Sequence, residues 1–268
     1  MVRVARVQPD SIAAELGIVA GTELISVNGR AIEDFLDWEF LTAVDALEIE
    51  AKFPSGEQVI FDVERPEDES FGLELEPPTV RRCANRCEFC FVEGLPKGLR
   101  RPLYIRDDDY RLSFAYGNFA TLSNLREHDF QRILEYRLSP LYVSVHATPW
   151  EARKKLLNNP RVPNIIEQLT RLADGGIQFH GQMVVVPGLN DGEVLEQSLA
   201  DAFTRAFQEA APVPPASPSP TPWCAAALHS RVISRMTDSV KVWVRAERPF
   251  MRSLVGPGAR SWGGQRGV

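Results

Sequence analysis

Apolar and polar residues alternate at the start of the chain, where Val2, Val4 and Val7 stand among charged or small neighbours, and this period of two predicts a half-buried strand. A short helix signal over residues 11–16 follows and is stopped by Gly17. Residues 24–27 form a compact apolar run that reads as a buried strand. Asn28-Gly29 behind it predicts a two-residue hairpin turn, because both residues tolerate positive φ. Phe35, Trp38 and Leu41 then recur at helical spacing within residues 33–42, and further strands are predicted over 46–53, 58–64 and 73–76. Beyond Pro77-Pro78 the pattern changes. Strand-forming segments are expected over 104–112 and 113–119, a helix over 127–135, a strand at LYVSVHA (141–147), a helix over 165–173 and a strand at IQFHGQMVVVPG (177–188). Strand alternating with helix predicts parallel strands in βα units, which wrap into a partial barrel. The expected fold class is therefore α/β, with a β-rich domain over residues 1–76, a βα core over 77–201 and an irregular tail over 202–268.

The tail is set apart by composition. Six of the twelve residues in APVPPASPSPTP (211–222) are proline, which is excluded from helix interiors and central strands. Charge reverses there as well: residues 1–201 hold 21 Lys and Arg against 33 Asp and Glu, whereas residues 202–268 hold 9 against 3. Loss of period together with charge reversal is what a shifted reading frame would give, and the tail is expected to be irregular on that ground. The acidic body argues against a nucleic-acid partner, since affinity for phosphate backbones rests on clustered Lys and Arg. No run reaches the roughly 18 apolar residues of a membrane span, and no secretory leader opens the sequence, so a cytoplasmic protein without a membrane span is expected.

Four cysteines in such a chain point away from disulfides. Three of them, Cys83, Cys87 and Cys90, have the spacing C-x-x-x-C-x-x-C, with Phe89 directly before the last. A loop this tight places three thiolates around three irons of a cubic cluster and leaves the fourth iron free of protein ligands. Zinc is the other reading, but zinc sites take four protein ligands. The fourth is missing here, because His128, His146 and His180 lack zinc-type spacing and Cys224 lies in the tail, where an incidental thiol is expected.

The residues carry two resemblances. Residues 1–76 resemble a bacterial PDZ domain through V-x-P-x-S-x-A (7–13) and G-I-x-x-G-T-E-L-I-S-V-N-G (17–29), with Ser70-Phe71-Gly72-Leu73 as the closest match to its carboxylate loop. That resemblance implies either a peptide partner added as a strand at a sheet edge or a rigid docking module. Over residues 1–200, the segments RRCANRCEFCFVEGLPKGLR, YIRDDDYRLSFAYGNFATLSNL, LYVSVHAT and PGLNDG are similar to a bacterial family of iron–sulfur oxidoreductases. Its members join a PDZ-like domain, a radical SAM core and a terminal domain of unknown function numbered 512, the last not recognisable here. The resemblance implies a [4Fe–4S] cluster on Cys83, Cys87 and Cys90, with S-adenosylmethionine chelated at the open iron and cleaved to a 5′-deoxyadenosyl radical that attacks an unknown substrate. It also implies a reductant such as ferredoxin or flavodoxin. A non-catalytic PDZ-type adaptor with a structural metal knot is the alternative.

Further candidates follow from position. Phe89 is expected near the adenine, and Gly117 and Asn118, after a predicted strand, fall where radical SAM enzymes place a turn that holds the methionine amino group. Ser144 and His146 alternate on one face of their strand, as do His180 and Gln182 in the next. In a barrel that face looks toward the cofactor, and His146, ending its strand, is the candidate catalytic residue. The loop 187–192 is expected beside the adenosine. The acidic run 107–109 is expected as a solvated face or a substrate-facing lid.

Overall fold

A computed structural model describes residues 2–64, 69–204 and 240–246 of the chain. They form two compact units, Met1–Val80 and Arg81–Val268.

The N-terminal unit is built from β1 (Val2–Val7), α1 (Ile12–Glu15), β2 (Glu23–Val27), β3 (Arg30–Ala31), α2 (Phe35–Leu41), β4 (Ala46–Lys52), β5 (Gln58–Glu64) and β6 (Leu73–Leu75). Its antiparallel sheet runs β5-β4-β2-β1-β6, with β3 paired to β2. The predicted alternation is realised: Val2 and Val4 are buried while Arg3 and Ala5 are exposed. Asn28 and Gly29 turn between paired Val27 and Arg30 with φ of 50° and 73°, which matches the twist of the two strands. Asp34 opens α2 with a capping box: its carboxylate accepts from the Leu36 N–H at 3.0 Å, and Asp37 accepts from the Asp34 N–H at 3.1 Å. Val4, Leu24, Val27, Ile49 and Ala51 form the core, which Trp38 and Phe71 close edge to face at 5.3 Å. The carbonyls of Phe71 and Gly72 accept from Ala13 and Gln8 at 3.1 and 2.8 Å, so this segment is tied down beside α1.

The second unit contains α3 (Tyr110–Tyr116), α4 (Glu127–Glu135), β7 (Leu141–Ser144), α5 (Trp150–Leu157), α6 (Ile165–Asp174), β8 (Phe179–Val185), α7 (Gly192–Thr204) and β9 (Val240–Ala246). β7, β8 and β9 pair in that order, all parallel, and Ala120 extends the pattern through a parallel bridge to Val143. Helices joined to parallel strands put apolar residues on both faces of each strand. Leu141, Val143, Phe179, Met183, Val184 and Val185 are accordingly all buried.

Several expectations are corrected here. Residues 104–119 are not two strands: a 3-10 turn spans Arg101–Tyr104, and Tyr110–Tyr116 is helix. The aromatic and β-forming side chains suggested strand, but Asp109 caps the helix by accepting from the Arg111 N–H at 3.1 Å, and Gly117 ends it with φ of 73°. Gly117 and Asn118 therefore follow a helix, not a strand. The strand expected over 141–147 stops at Ser144, because His146 adopts φ of 60° and cannot continue the pleat. The acidic run is not the expected solvated face, since Asp108 and Asp109 are buried and only Asp107 is half-exposed. Residues 240–246, expected within an irregular tail, form β9 in register with β8. The proline-rich segment 211–222 and Cys224 lie outside the described residues. Helices α5 and α7 were not anticipated.

Candidate functional site

The three cysteines sit on a loop whose ends are fixed by backbone hydrogen bonds. Asp108 N–H donates to the Arg81 carbonyl and Cys83 N–H to the Arg106 carbonyl, each at 2.9 Å, while Arg82 pairs with Asp107. Midway, the Arg86 N–H donates to the carbonyl of Leu157 at 2.9 Å, fastening the loop to the end of α5. The Cys90 N–H reaches the Cys87 carbonyl at 3.2 Å and the Gly94 N–H reaches that of Cys90 at 3.0 Å, so the last two cysteines share a tight turn.

Beneath the loop lies a polar network in which the described donors and acceptors meet closely. Buried Asn85 donates to Thr121 Oγ1 at 2.8 Å and Ser123 Oγ at 3.1 Å, and its Oδ1 accepts from Asn159 at 2.8 Å. Asp108, also buried, accepts from the N–H groups of Thr121, Leu122 and Ser123 and from both hydroxyls at 2.6–3.2 Å. A carboxylate taken out of water needs such a set of donors. Arg106 completes the support, bonding to the Asn85 carbonyl and pairing with Glu93.

All three thiols are free and half-buried. Burial, reinforced by the nearness of Cys83 and Cys90, pushes the Cys87 thiol up to about 12. Burial and then Asp108 raise Cys83, against opposing pulls from Asn85 and Arg106. Burial works against the Arg106 charge, but Cys90, Glu93 and Cys83 outweigh it and raise its pKa. Among the described residues no three His, Cys, Asp or Glu side chains are already arranged as a metal site. The thiols nevertheless act on one another electrostatically, and an all-sulfur donor set beside guanidinium groups suits a soft, anionic metal centre better than a hard cation. Thiolates are the binding form, so metal would have to displace the thiol protons.

The other sequence-predicted residues fall into two groups. His146 is buried beneath Phe89, with the rings edge to face at 4.9 Å. Its Nδ1 accepts from the Val184 N–H at 3.3 Å, which leaves the ring proton on Nε2. Burial, then the nearby Arg153 charge, lowers His146 to about 3, so the imidazole is neutral near pH 7. Ser144 Oγ faces Gln182 Oε1 at 3.5 Å across paired β7 and β8, and the Gln182 carbonyl accepts from the His146 N–H at 3.1 Å. Asn190, in the loop 187–192, donates to the carbonyls of His146 and Val184 at 2.7 and 2.8 Å, which holds His146 in its left-handed conformation. Phe89, His146, Ser144 and Gln182 thus form one connected set. Gly117 and Asn118 stand apart: Asn118 is exposed and donates to Asp107 at 3.0 Å. His180 stacks on Tyr142 at 4.6 Å.

Residues 65–209, slightly more than half of the chain, match the radical SAM-like domain family. The chain belongs to that family. The match takes in the cysteine loop, the network below it and the strand ends bearing Ser144 and Gln182, and it begins ahead of β6 in the N-terminal unit. Comparison with curated proteins gives no match. Among the described residues, no helix of this radical SAM-like protein is long and apolar enough to cross a membrane.

Sequence reasoning missed Arg153, Asn85 and Asn190 as elements of the site. Arg153 had a signal: it shares one helical face with Leu156 and Leu157 at i+3 and i+4, a face that otherwise buries apolar side chains. Asn85 had none, because its partners lie 36 to 74 residues away, while Asn190 lay in the singled-out loop 187–192 but its bond to His146 spans 44 residues of chain.

Proposed function

We propose that this chain is a radical SAM enzyme in which Cys83, Cys87 and Cys90 hold a [4Fe–4S] cluster and S-adenosylmethionine takes the remaining iron. The observation that carries the reading is the set of three free, half-buried thiols on one pinned loop, mutually coupled and bordered by Arg106. Held by these three thiolates, a cluster would supply the one-electron chemistry for reductive cleavage of S-adenosylmethionine. Protein residues do the rest. Phe89 offers an apolar ring for the adenine, and Ser144 and Gln182 offer polar atoms at paired strand positions. His146 provides a neutral Nε2–H donor rather than a base. Gly117 and Asn118 would serve the methionine end only through backbone contacts, given the position of the Asn118 amide.

In this reading the β-rich N-terminal unit is a PDZ-like docking module, and β7, β8 and β9 with their helices belong to a partial (β/α) barrel. The antiparallel sheet with two short helices and the all-parallel order of the second sheet support both assignments. A cytoplasmic setting and a ferredoxin- or flavodoxin-type reductant accord with thiols kept free of disulfides.

The test is anaerobic reconstitution of the full chain with iron and sulfide, followed by S-adenosylmethionine and dithionite. A broad visible charge-transfer band and release of 5′-deoxyadenosine are expected, with both lost in Cys87→Ala. Stoichiometric zinc and no such band would overturn the reading in favour of a structural metal knot. A cluster without deoxyadenosine would reject the enzymatic part alone.

A further inference from the structure

Arg153 has no accessible surface, yet none of its described hydrogen bonds goes to a carboxylate. Nη1 donates to the carbonyls of Ser144, at 3.0 Å, and Val145, and Nη2 donates to that of Thr121 at 2.7 Å. Nε is buried without a partner. Burying a guanidinium is costly unless an opposite charge answers it, and neutral carbonyls answer it only in part. Asp108, whose charge also acts on it, is hydrogen-bonded to Thr121, Leu122 and Ser123 and makes no bond to the guanidinium. Cys87, on the cysteine loop, is the other group that acts on it electrostatically.

The position is rigidly specified. Four residues farther along α5, the Leu157 carbonyl receives the Arg86 N–H, so the helix that carries Arg153 also holds the middle of the cysteine loop. Thr121 accepts from Arg153 through its carbonyl and from Asn85 through its hydroxyl, so one residue links the guanidinium to the loop. Val145, the other acceptor, precedes His146.

We propose that Arg153 is a positioning residue whose fixed charge compensates the metal centre on Cys87 and sets its reduction potential. This inference rests on the cluster reading given above. Three thiolates make the centre anionic, and accepting one electron from an external one-electron reductant adds a further negative charge with no bond made or broken in the protein. A cation held a short distance away in a poorly polarisable interior favours the reduced form, and the effect is stronger there than at a wet surface. The carbonyl cage fixes the guanidinium in place without a direct hydrogen bond to a carboxylate.

Reconstituted full-length protein, Arg153→Gln and Arg153→Lys are to be compared by redox titration followed by electron paramagnetic resonance, with circular dichroism melting as the folding control. Gln retains an amide donor for the carbonyls but no charge, whereas Lys retains the charge with fewer hydrogen bonds. Arg153→Gln is expected to hold about tenfold less reduced cluster at a fixed potential, a shift of about 59 mV toward the negative for a one-electron couple. Arg153→Lys should stay within a smaller margin of the parent protein. A folded Arg153→Gln with the parent's potential overturns the proposal, as does an Arg153→Lys that falls with Arg153→Gln. An Arg153→Gln that fails to fold assigns the residue to the scaffold and overturns it too. Absence of any cluster in the parent protein would instead sink the reading beneath it, so the two failures are distinct.

Discussion

Buried charge decides most of what individual residues do here. Asp109 accepts from Arg111 Nε and Nη2 at 2.9 and 2.6 Å and from the Arg81 N–H at 3.1 Å. Burial alone would raise its carboxyl, but the Arg111 guanidinium and these N–H groups outweigh burial and hold it below the usual aspartate range. The folded protein therefore takes up this proton at lower pH than the unfolded chain. The stability it contributes is complete above the ordinary aspartate value of about 4 and is lost as pH falls through the folded value. Asp109→Asn should lower the urea midpoint at neutral pH and flatten the acid-side slope; an unchanged slope would exclude Asp109 as its source. Gly72 makes a steric counterpart in the N-terminal unit. Its φ is 76° and an added Cβ would lie 2.2 Å from Ser11 Cβ, so Gly72→Ala is expected to cost at least about 2 kcal/mol in urea unfolding. At this scale the cysteines were legible because their spacing is local, whereas Asp108 looked like surface charge. Nothing in three consecutive aspartates says that one of them, Asp108, meets hydroxyls and amides 13 to 15 residues away.

Among elements, the Asn28-Gly29 turn was legible in sequence, whereas the helix caps discussed here emerged from the structure. Asp34, Asp109 and Asn164 open their helices with side-chain acceptors, and Gly117 closes one in the left-handed region. Asp34→Ala removes the reciprocal bonds of its capping box and should destabilise the N-terminal unit by about 1 kcal/mol; a urea midpoint identical to the parent's would show that Leu36, Trp38 and their packing hold α2 unaided. The misread segment 104–119 shows where local preference fails. Tyr and Phe favour strands in general, but Asp109 capping and the burial of Tyr110, Arg111 and Ser113 override them. Ser113 then bridges Tyr142, donating to its carbonyl at 2.9 Å and accepting from its N–H at 2.8 Å, which seats α3 on β7. Helix α7 escaped detection in sequence, yet its Ser198 and Asp201 hold Thr148, just past β7, at 3.0 and 2.6 Å.

For the whole molecule, the division at Val80 separates two self-contained cores. Every strand of the first sheet comes from residues 2–75, and its apolar cluster draws only on that stretch. Residues 1–80 produced alone should therefore unfold cooperatively on heating, with dispersed amide proton resonances. A non-cooperative melt would mean that this sheet depends on the remainder of the chain.

The sequence by itself determined the acidic body, the N-terminal strands and hairpin, and the close spacing of the three cysteines, because each rests on composition or on patterns spanning only a few residues. Tertiary structure alone decided that the cysteine loop rests on Asn85, Asp108 and Thr121, that His146 leaves its strand in a left-handed turn held by Asn190, and that β9 joins β8. It also decided that a fully buried arginine has backbone carbonyls, and no carboxylate, as its described hydrogen-bond partners. These features depend on groups brought together from distant parts of the chain, and their free energies come from burial and mutual satisfaction of polar atoms, which a linear pattern does not encode.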